Sequence, residues 1–458
     1  MSKSNTFSYI DLFAGCGGLS LGFERSGGKL VLAVERSPMA AETFSHNLIA
    51  PVVSTAEWDK YVNRSVSDQV HDGLLVRELK FLLDEPSLVT ELANLNIDVI
   101  AGGPPCQGFS LAGRRNPEDL RNQLPWQFLD LVSSVSPKVV VIENVVGMRH
   151  KFSADQTEPV FDQLQQALRE TGAGYVVQGV EVNAMHYGAP QHRPRLMIIG
   201  LRADIASSKN LASTGNLWKS DFLDNLTAAV PDLAPIPSVR ADQSPTLSDA
   251  LADLLPDSPK LKNPFIEEVK NSSVWGLSNQ SGGIKNHVKR NHTKQAILRF
   301  ELYQALASFG LDAKIVSKAA VLPENQAKSM LQTKFGSLAF PAKTPNGKTV
   351  AKTATELADL VWELRTKKHS QRVLPLDKVA RTVVTIGDDY VHPIEPRTFT
   401  VRELARFQGF PDGFEFRAKE TTGGLNRRNE VPQYSQVGNA VSPFLAKSVG
   451  ELINRLLK

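Results

Sequence analysis

The sequence predicts an α/β protein: a Rossmann-like, doubly wound, mostly parallel sheet that carries a smaller, irregular α+β insert. Three observations lead there. The first 202 residues alternate short β-branched runs with amphipathic stretches, the pattern of βα units building a parallel sheet. After Arg202 that alternation gives way to Ser, Asn, Asp and Pro, as in 231–237, which marks a domain boundary. Finally, an apolar-periodic helix over 442–457 is placed to return and cover the first domain. At 458 residues the chain has room for two or three domains, one interrupting another, and its 41% hydrophobic and 22% charged residues exclude a disordered or fibrous protein.

The expected strands are 7–13, 30–35, 97–102, 138–145, 175–183 and 195–202. Between them, apolar residues at spacings of three and four predict helices over 19–26, 38–47, 124–136 and 158–171. The expected division is a sheet domain over 1–202, an insert over 203–395, a connecting segment over 396–433 and a C-terminal segment, 434–458, that completes the first domain. No apolar run approaches the ~20 residues of a membrane span, and Asp11 and the glycines after it interrupt any signal-peptide core.

Two cysteines, Cys16 and Cys106, are too few for a disulfide framework, and neither a CxxC pair nor a Cys/His cluster offers a zinc ligand set; no metal is expected. The expected compartment is a reducing cytoplasm. The net charge is only +4, yet it is unevenly spread. Residues 260–299 hold eight Lys/Arg against Glu267 and Glu268, and 343–381 hold nine against four acids. One such run reads equally well as a solvated face; two in one region point to a polyanion.

Four motifs carry chemistry. A glycine-rich turn, Phe13-Ala14-Gly15-Cys16-Gly17, follows the first strand, and Glu35 stands twenty residues beyond Gly15 at the next strand end. Glycines let a ligand approach backbone N–H groups, and a carboxylate there can bind ribose hydroxyls, so the pair implies a nucleoside cofactor. The spacing is not GxGxxG, which disfavours NAD. The second motif, Gly102-Gly103-Pro104-Pro105-Cys106-Gln107, ends a strand at the ligand-binding edge. A lone cysteine is commonly a small buried hydrophobe, but the prolines before Cys106 and polar Gln107 and Ser110 after it argue for a reactive thiol. Third, Glu143 and Asn144 end an almost wholly apolar strand, costly for a carboxylate without a partner or a task. Fourth, Gln191-His192-Arg193-Pro194-Arg195 opens another strand, with Arg193 and Arg195 expected on one side. An ion-pair network is the structural alternative for these charges.

In this order and spacing the motifs resemble those of the DNA (cytosine-5)-methyltransferase family, of the compact prokaryotic type. Further matches are Arg121 with Leu124, the block 397–411, and Gln436-Val437-Gly438-Asn439-Ala440-Val441. The family's acidic residue after its third strand is less clear, with Glu78 the candidate. The resemblance implies S-adenosyl-L-methionine against Phe13, Ala14, Gly15, Gly17, Glu35, Pro105, Leu124, Asn439 and Val441. It implies Cys106 as nucleophile at cytosine carbon 6, Glu143 at N3, and Arg193 and Arg195 near O2, with double-stranded DNA held by the insert and Lys285 to His292 as a contact segment. A monomer is expected. The nearest rival is a tRNA cytosine methyltransferase of the same superfamily, whose Cys-Phe-Thr tripeptide this chain lacks. A silent DNA-binding relative would usually lack the cysteine or the glutamate, and a nicotinamide oxidoreductase would leave the Cys106 loop without a purpose.

Overall fold

The computed structural model describes residues 6–105, 123–149, 158–255, 263–277, 283–423, 426 and 429–458. Cys106 and Arg121 lie outside the described residues. Eight strands form one sheet: β1 (Phe7–Leu12), β2 (Gly28–Val34), β3 (Leu74–Leu75), β4 (Val99–Gly102), β5 (Val139–Asn144), β6 (Tyr175–Asn183), β7 (Pro194–Arg202) and β8 (Trp218–Lys219). Their order is β3-β2-β1-β4-β5-β7-β6-β8, and every pairing is parallel except those of β7 with β5 and β6. The doubly wound reading therefore holds, and the six expected strands and four expected helices of the first 202 residues fall close to where the apolar periodicity places them, whereas the helices Thr55–Val62, Val66–His71, Lys80–Leu83 and Pro86–Asn94 were not expected.

Two strands of two residues, β3 and β8, were too short to be read. The second corrects the expected boundary at Arg202: β8 pairs with β6, and Leu233 and Ala234 are buried in the core beneath the helix Pro443–Leu457. The sheet domain thus continues about thirty residues past the change in composition, because irregular chain can still contribute an edge strand.

Glycine sets how closely the C-terminal helix approaches. A Cβ on Gly18 would sit 2.2 Å from the Val441 carbonyl oxygen, and one on Gly22 2.6 Å from that of Pro443. The helix Gly18–Arg25 consequently seats its backbone on the returning chain. Beyond the sheet, segments 247–255, 265–277, 399–416 and 434–444 share a second core with Cys16 and Leu21. Arg25 joins it to the sheet domain, paired with Glu268 at 2.6 Å and 4.1 Å from the centre of the Trp275 ring. A third core belongs to the insert and gathers the helices Lys294–Ser308, Lys314–Ala319, Glu324–Phe335 and Ala354–Glu363 with the hairpin β9 (Ala342–Lys343) and β10 (Thr349–Ala351). This body rests on the short pair β11 (Arg372–Val373) and β12 (Tyr390–Val391), which leads back to the sheet edge.

The connecting segment is a buried brace. Thr400 and Glu403 cap the helix Val401–Gln408 reciprocally. Glu403 accepts from both terminal nitrogens of Arg397, and Arg406 pairs with Asp253 at 2.6 Å and Asp412 at 2.7 Å, so these two buried guanidinium groups are matched by carboxylates.

Candidate active site

The end of β1 turns sharply. Phe13, Gly15 and Gly17 all have positive φ (58°, 57° and 98°), Ala14 N–H donates to the Val34 carbonyl, and Gly17 N–H to that of Ala14. A Cβ on Gly15 would meet nothing within 4 Å, so the turn is open above it. Glu35 sits one residue past β2, and its carboxylate accepts from Gly15 N–H at 2.9 Å and from Ser37 N–H at 2.7 Å. Burial raises its pKa, partly offset by those bonds. Each carboxylate oxygen keeps a further lone pair. An open glycine turn and a carboxylate anchored beside it, with lone pairs free to accept from hydroxyl groups, fit a ribose-bearing ligand.

Of the other expected cofactor residues, Pro105 is half-buried at the end of the β4 loop, Leu124 opens the helix Leu124–Val135, and Asn439 is exposed at the end of the helix Gln433–Asn439. Cys16 is buried, its thiol pushed up to about 12 by burial, and packs as the small residue its place in the turn suggests. Sequence reasoning missed Asp11 and Ser20. Asp11 is fully buried behind the turn, accepts a 2.6 Å bond from the Ser20 hydroxyl, and is pushed up to about 7 by burial. Its only visible signal was a carboxylate inside the apolar run of β1.

On the neighbouring strands, Gly102 and Gly103 clear space. A Cβ on Gly102 would meet the Leu12 carbonyl at 2.1 Å, and one on Gly103 the Glu143 Oε2 at 2.9 Å. Asn144 donates from Nδ2 to the Pro104 carbonyl at 3.0 Å, while its Oδ1 accepts from Val145 N–H. The last residue of β5 thus holds the loop that leads into Cys106. Glu143 Oε1 pairs with Arg195 Nε at 2.9 Å, both side chains only 12% exposed. Arg195 also donates to the Pro194 carbonyl. Carboxylate and guanidinium meet beside the Gly103-Pro104 backbone.

Arg193 does not join them. Its side chain is buried and turns the other way, donating to the carbonyls of Val383 at 3.2 Å, Gly438 at 2.8 Å and Ala440 at 2.9 Å. The expectation that both arginines share a side assumed strand alternation, but β7 begins at Pro194 and that rule does not reach residue 193. Gln191 works alongside: its side chain accepts from Val383 N–H and donates to Gln408 Oε1, and His192 N–H donates to Ala380 O. The fourth motif therefore splits, Arg195 facing Glu143 while Gln191 and Arg193 tie the insert's return strand and the C-terminal segment to the sheet.

In the first basic run two cations are matched by acids from elsewhere in the chain. Lys289 pairs with Glu395 at 2.5 Å and Arg290 with Asp388 at 2.6 Å, while His287 meets Thr400 and His292 meets Thr398. Burial alone would raise Glu395, but bonds from Arg397 and Lys289 override it and hold it at about 2. Residues 285–292 form a strap fastened to 388–403. In the second run, Arg372 and Arg381 line a cleft of about 550 Å³ with His192, Ser370, Asp389 and Tyr390, directly beside the fourth motif. Glu78 is exposed and pairs with Arg36 at 3.2 Å. Among the described residues no cluster of three His, Cys, Asp or Glu is arranged to hold a metal ion, and no helix is long and apolar enough to cross a membrane.

Comparison with known proteins places the chain in a family. A family model described as C-5 cytosine-specific DNA methylase matches residues 7–455. The type II methyltransferase M.DdeI of Desulfomicrobium norvegicum is 30% identical over 97% of this chain and 88% of its own length. The DNA (cytosine-5-)-methyltransferase M.ApeKI of Aeropyrum pernix is 27% identical over 98% and 99%. Among solved structures, a prophage-encoded protein of E. coli assigned as a DNA modification methyltransferase superposes with a TM-score of 0.53 at 23% identity, covering 98% of this chain and 99% of that one, a likeness of fold.

Proposed function

Since the chain belongs to the C-5 cytosine-specific DNA methylase family, we propose that it transfers a methyl group from S-adenosyl-L-methionine to carbon 5 of a cytosine in a specific duplex DNA sequence, with Cys106 as nucleophile. The observation that carries this reading is the Glu143–Arg195 pair beside the Gly103-Pro104 backbone, three residues before Cys106.

Carbon 5 of cytosine is a poor nucleophile until a thiolate adds at carbon 6 and makes it enamine-like. Cys106 makes that bond. The electron pair displaced from the 5,6 double bond moves toward N3 and O2, where Glu143 stabilises a proton taken up at N3 and Arg195 bears on O2. Their ion pair fixes both side chains before substrate arrives, and Asn144 holds the Pro104 carbonyl two residues before the thiol. The bound cofactor supplies a methyl group on a sulfonium, an electrophile for carbon 5. Phe13, Ala14, Gly15, Gly17 and Glu35 would hold it, with Pro105, Leu124, Asn439 and Val441 completing the wall. Water then takes the carbon 5 proton, the electrons of that C–H bond re-form the 5,6 double bond, and the carbon 6–sulfur bond breaks to release the thiolate. Because a stacked base cannot be approached on both faces, the cytosine must leave the helix, at roughly a few kcal/mol. Arg193 supports this chemistry by holding the walls together, without touching the base. The protein is proposed to act as a cytoplasmic monomer on DNA.

The test incubates purified protein with methyl-labelled S-adenosyl-L-methionine and either duplex DNA or tRNA. Label at carbon 5 of DNA cytosines is the expected result; label in tRNA alone overturns it.

A further inference from the structure

The insert's own body carries an arrangement that neither basic run describes. The helix Lys314–Ala319 is followed by four residues, Ala320 to Pro323, and then by the twelve-residue helix Glu324–Phe335. The helix Lys294–Ser308 packs into the same core, and the β9–β10 hairpin follows directly. Helix, short turn, helix and hairpin in this order are the parts of a helix-turn-helix reader with a wing.

The faces of the second helix are sharply divided. Ala327, Leu331 and Phe335, four residues apart, are wholly buried. Asn325, Gln326, Ser329, Gln332 and Thr333 are all exposed, and at 100° per residue they fall on one arc about 120° wide. Every one is a neutral amide or hydroxyl. An ordinary solvated helix face would be strewn with Lys and Glu; amides and hydroxyls are the groups that read base edges, Gln and Asn pairing with adenine and Ser or Thr accepting either partner. The charges lie around this arc instead. Residues 314–348 contain six lysines against Glu324 alone, more positive than the chain's net +4. Lys328 is neutralised by Glu324 and Asp359, and Lys348 by Glu301. Lys314, Lys318, Lys334 and Lys343 are exposed and enter no ion pair among the described residues. A neutral reading face bordered by cations matches a major groove about 12 Å wide between two phosphate ridges.

We propose that residues 294–351 are a helix-turn-helix unit whose helix Glu324–Phe335 lies in the DNA major groove, with Gln326, Ser329 and Gln332 reading bases and Lys318 and Lys334 contacting phosphate. This deepens the reading of the chain as a DNA enzyme and rests on it. The unit is joined to the reacting edge through Gln304, whose amide donates to the His392 carbonyl at 2.9 Å, and through β11 and β12, which border the Arg372–Arg381 cleft.

The test uses the full chain and duplex DNA carrying the sequence that bisulfite sequencing shows it methylates. The double variant Gln326→Ala, Gln332→Ala should lose roughly tenfold or more in discrimination against a one-base change, with the salt dependence of binding kept. Lys318→Ala and Lys334→Ala should weaken binding to both sequences alike and each lower the salt slope by about one. Thermal melting checks that these exposed replacements leave the fold intact. Unchanged discrimination together with unchanged slopes overturns the unit while methylation continues. If no DNA cytosine is methylated yet the variants still lose binding to duplex DNA, the unit stands and the enzymatic reading falls.

Discussion

The carboxyl edge of the sheet and the helical body of the insert deploy their polar groups in opposite ways. At the edge nearly every functional side chain is engaged: Glu35 by two backbone N–H groups, Asn144 by the Pro104 carbonyl, Glu143 by Arg195, Arg193 by three carbonyls. In the body, the arc from Asn325 to Thr333 faces solvent. A reacting edge must be rigid before substrate arrives, because misplacement of a proton-handling group costs rate. A reading surface must leave its hydrogen-bonding capacity for the ligand. The difference separates what chemistry requires from what recognition requires within one chain.

The sharpest way to break this comparison is at Glu143. Glu143→Gln keeps the shape and replaces the carboxyl by a neutral amide, so methyl transfer at saturating DNA should fall by about a hundredfold to ten-thousandfold with the melting temperature little changed. A loss that instead tracked a collapse in stability would make the pair with Arg195 a structural bridge.

The buried carboxyl behind the cofactor turn should sharpen the contrast through pH. Asp11 is raised by burial from an ordinary carboxylate value to about 7, so the folded state holds a proton that the unfolded chain has already released. Its penalty is absent below about pH 4, grows as pH rises toward 7, and then levels off, on the order of a few kcal/mol. Asp11→Asn should therefore gain stability over wild type at pH 8 and little at pH 4, read from melting curves. Parallel curves for the two proteins would contradict the burial argument. The strap of the insert behaves in the opposite sense: Glu395 is held at about 2, so its contribution is present above the usual glutamate range and lost as pH falls toward 2.

The smallest effect is expected at Lys289. Its charge is matched by Glu395, and an exposed pair of this kind contributes below about 1 kcal/mol. Lys289→Ala should leave the salt slope of DNA binding nearly unchanged, unlike Lys334→Ala. A full unit of slope lost at Lys289 would return the 285–292 strap to the DNA interface.

Much of the edge was legible in the sequence because its demands are local. A strand buried on both faces needs β-branched runs, a tight turn after it needs Gly15 and Gly17, and a carboxylate closing such a run, as Glu143 does, has little reason to be there without a task. What stayed hidden depended on partners distant in the chain. Arg193 acts through carbonyls at 383, 438 and 440, which no spacing announces. Lys289 and Arg290 counted as free positive charge until the fold brought Glu395 and Asp388 against them. Strand β8, two residues long in irregular chain, has no period to detect. The arc on the helix Glu324–Phe335 escaped for another reason: a search for charge passes over neutral amides and hydroxyls.

The central claim, that Cys106 attacks a cytosine of DNA at the edge built by Glu143, Asn144 and Arg195, is tested most directly with 5-fluorocytosine. Fluorine at carbon 5 cannot be lost as a proton, so the enzyme bond to carbon 6 persists after methyl transfer. Wild-type protein incubated with S-adenosyl-L-methionine and 5-fluorocytosine DNA should run as a denaturant-resistant protein–DNA adduct, and Cys106→Ser should form none. An equal adduct from Cys106→Ser, or no adduct from wild type on DNA that it methylates when unmodified, would contradict the account.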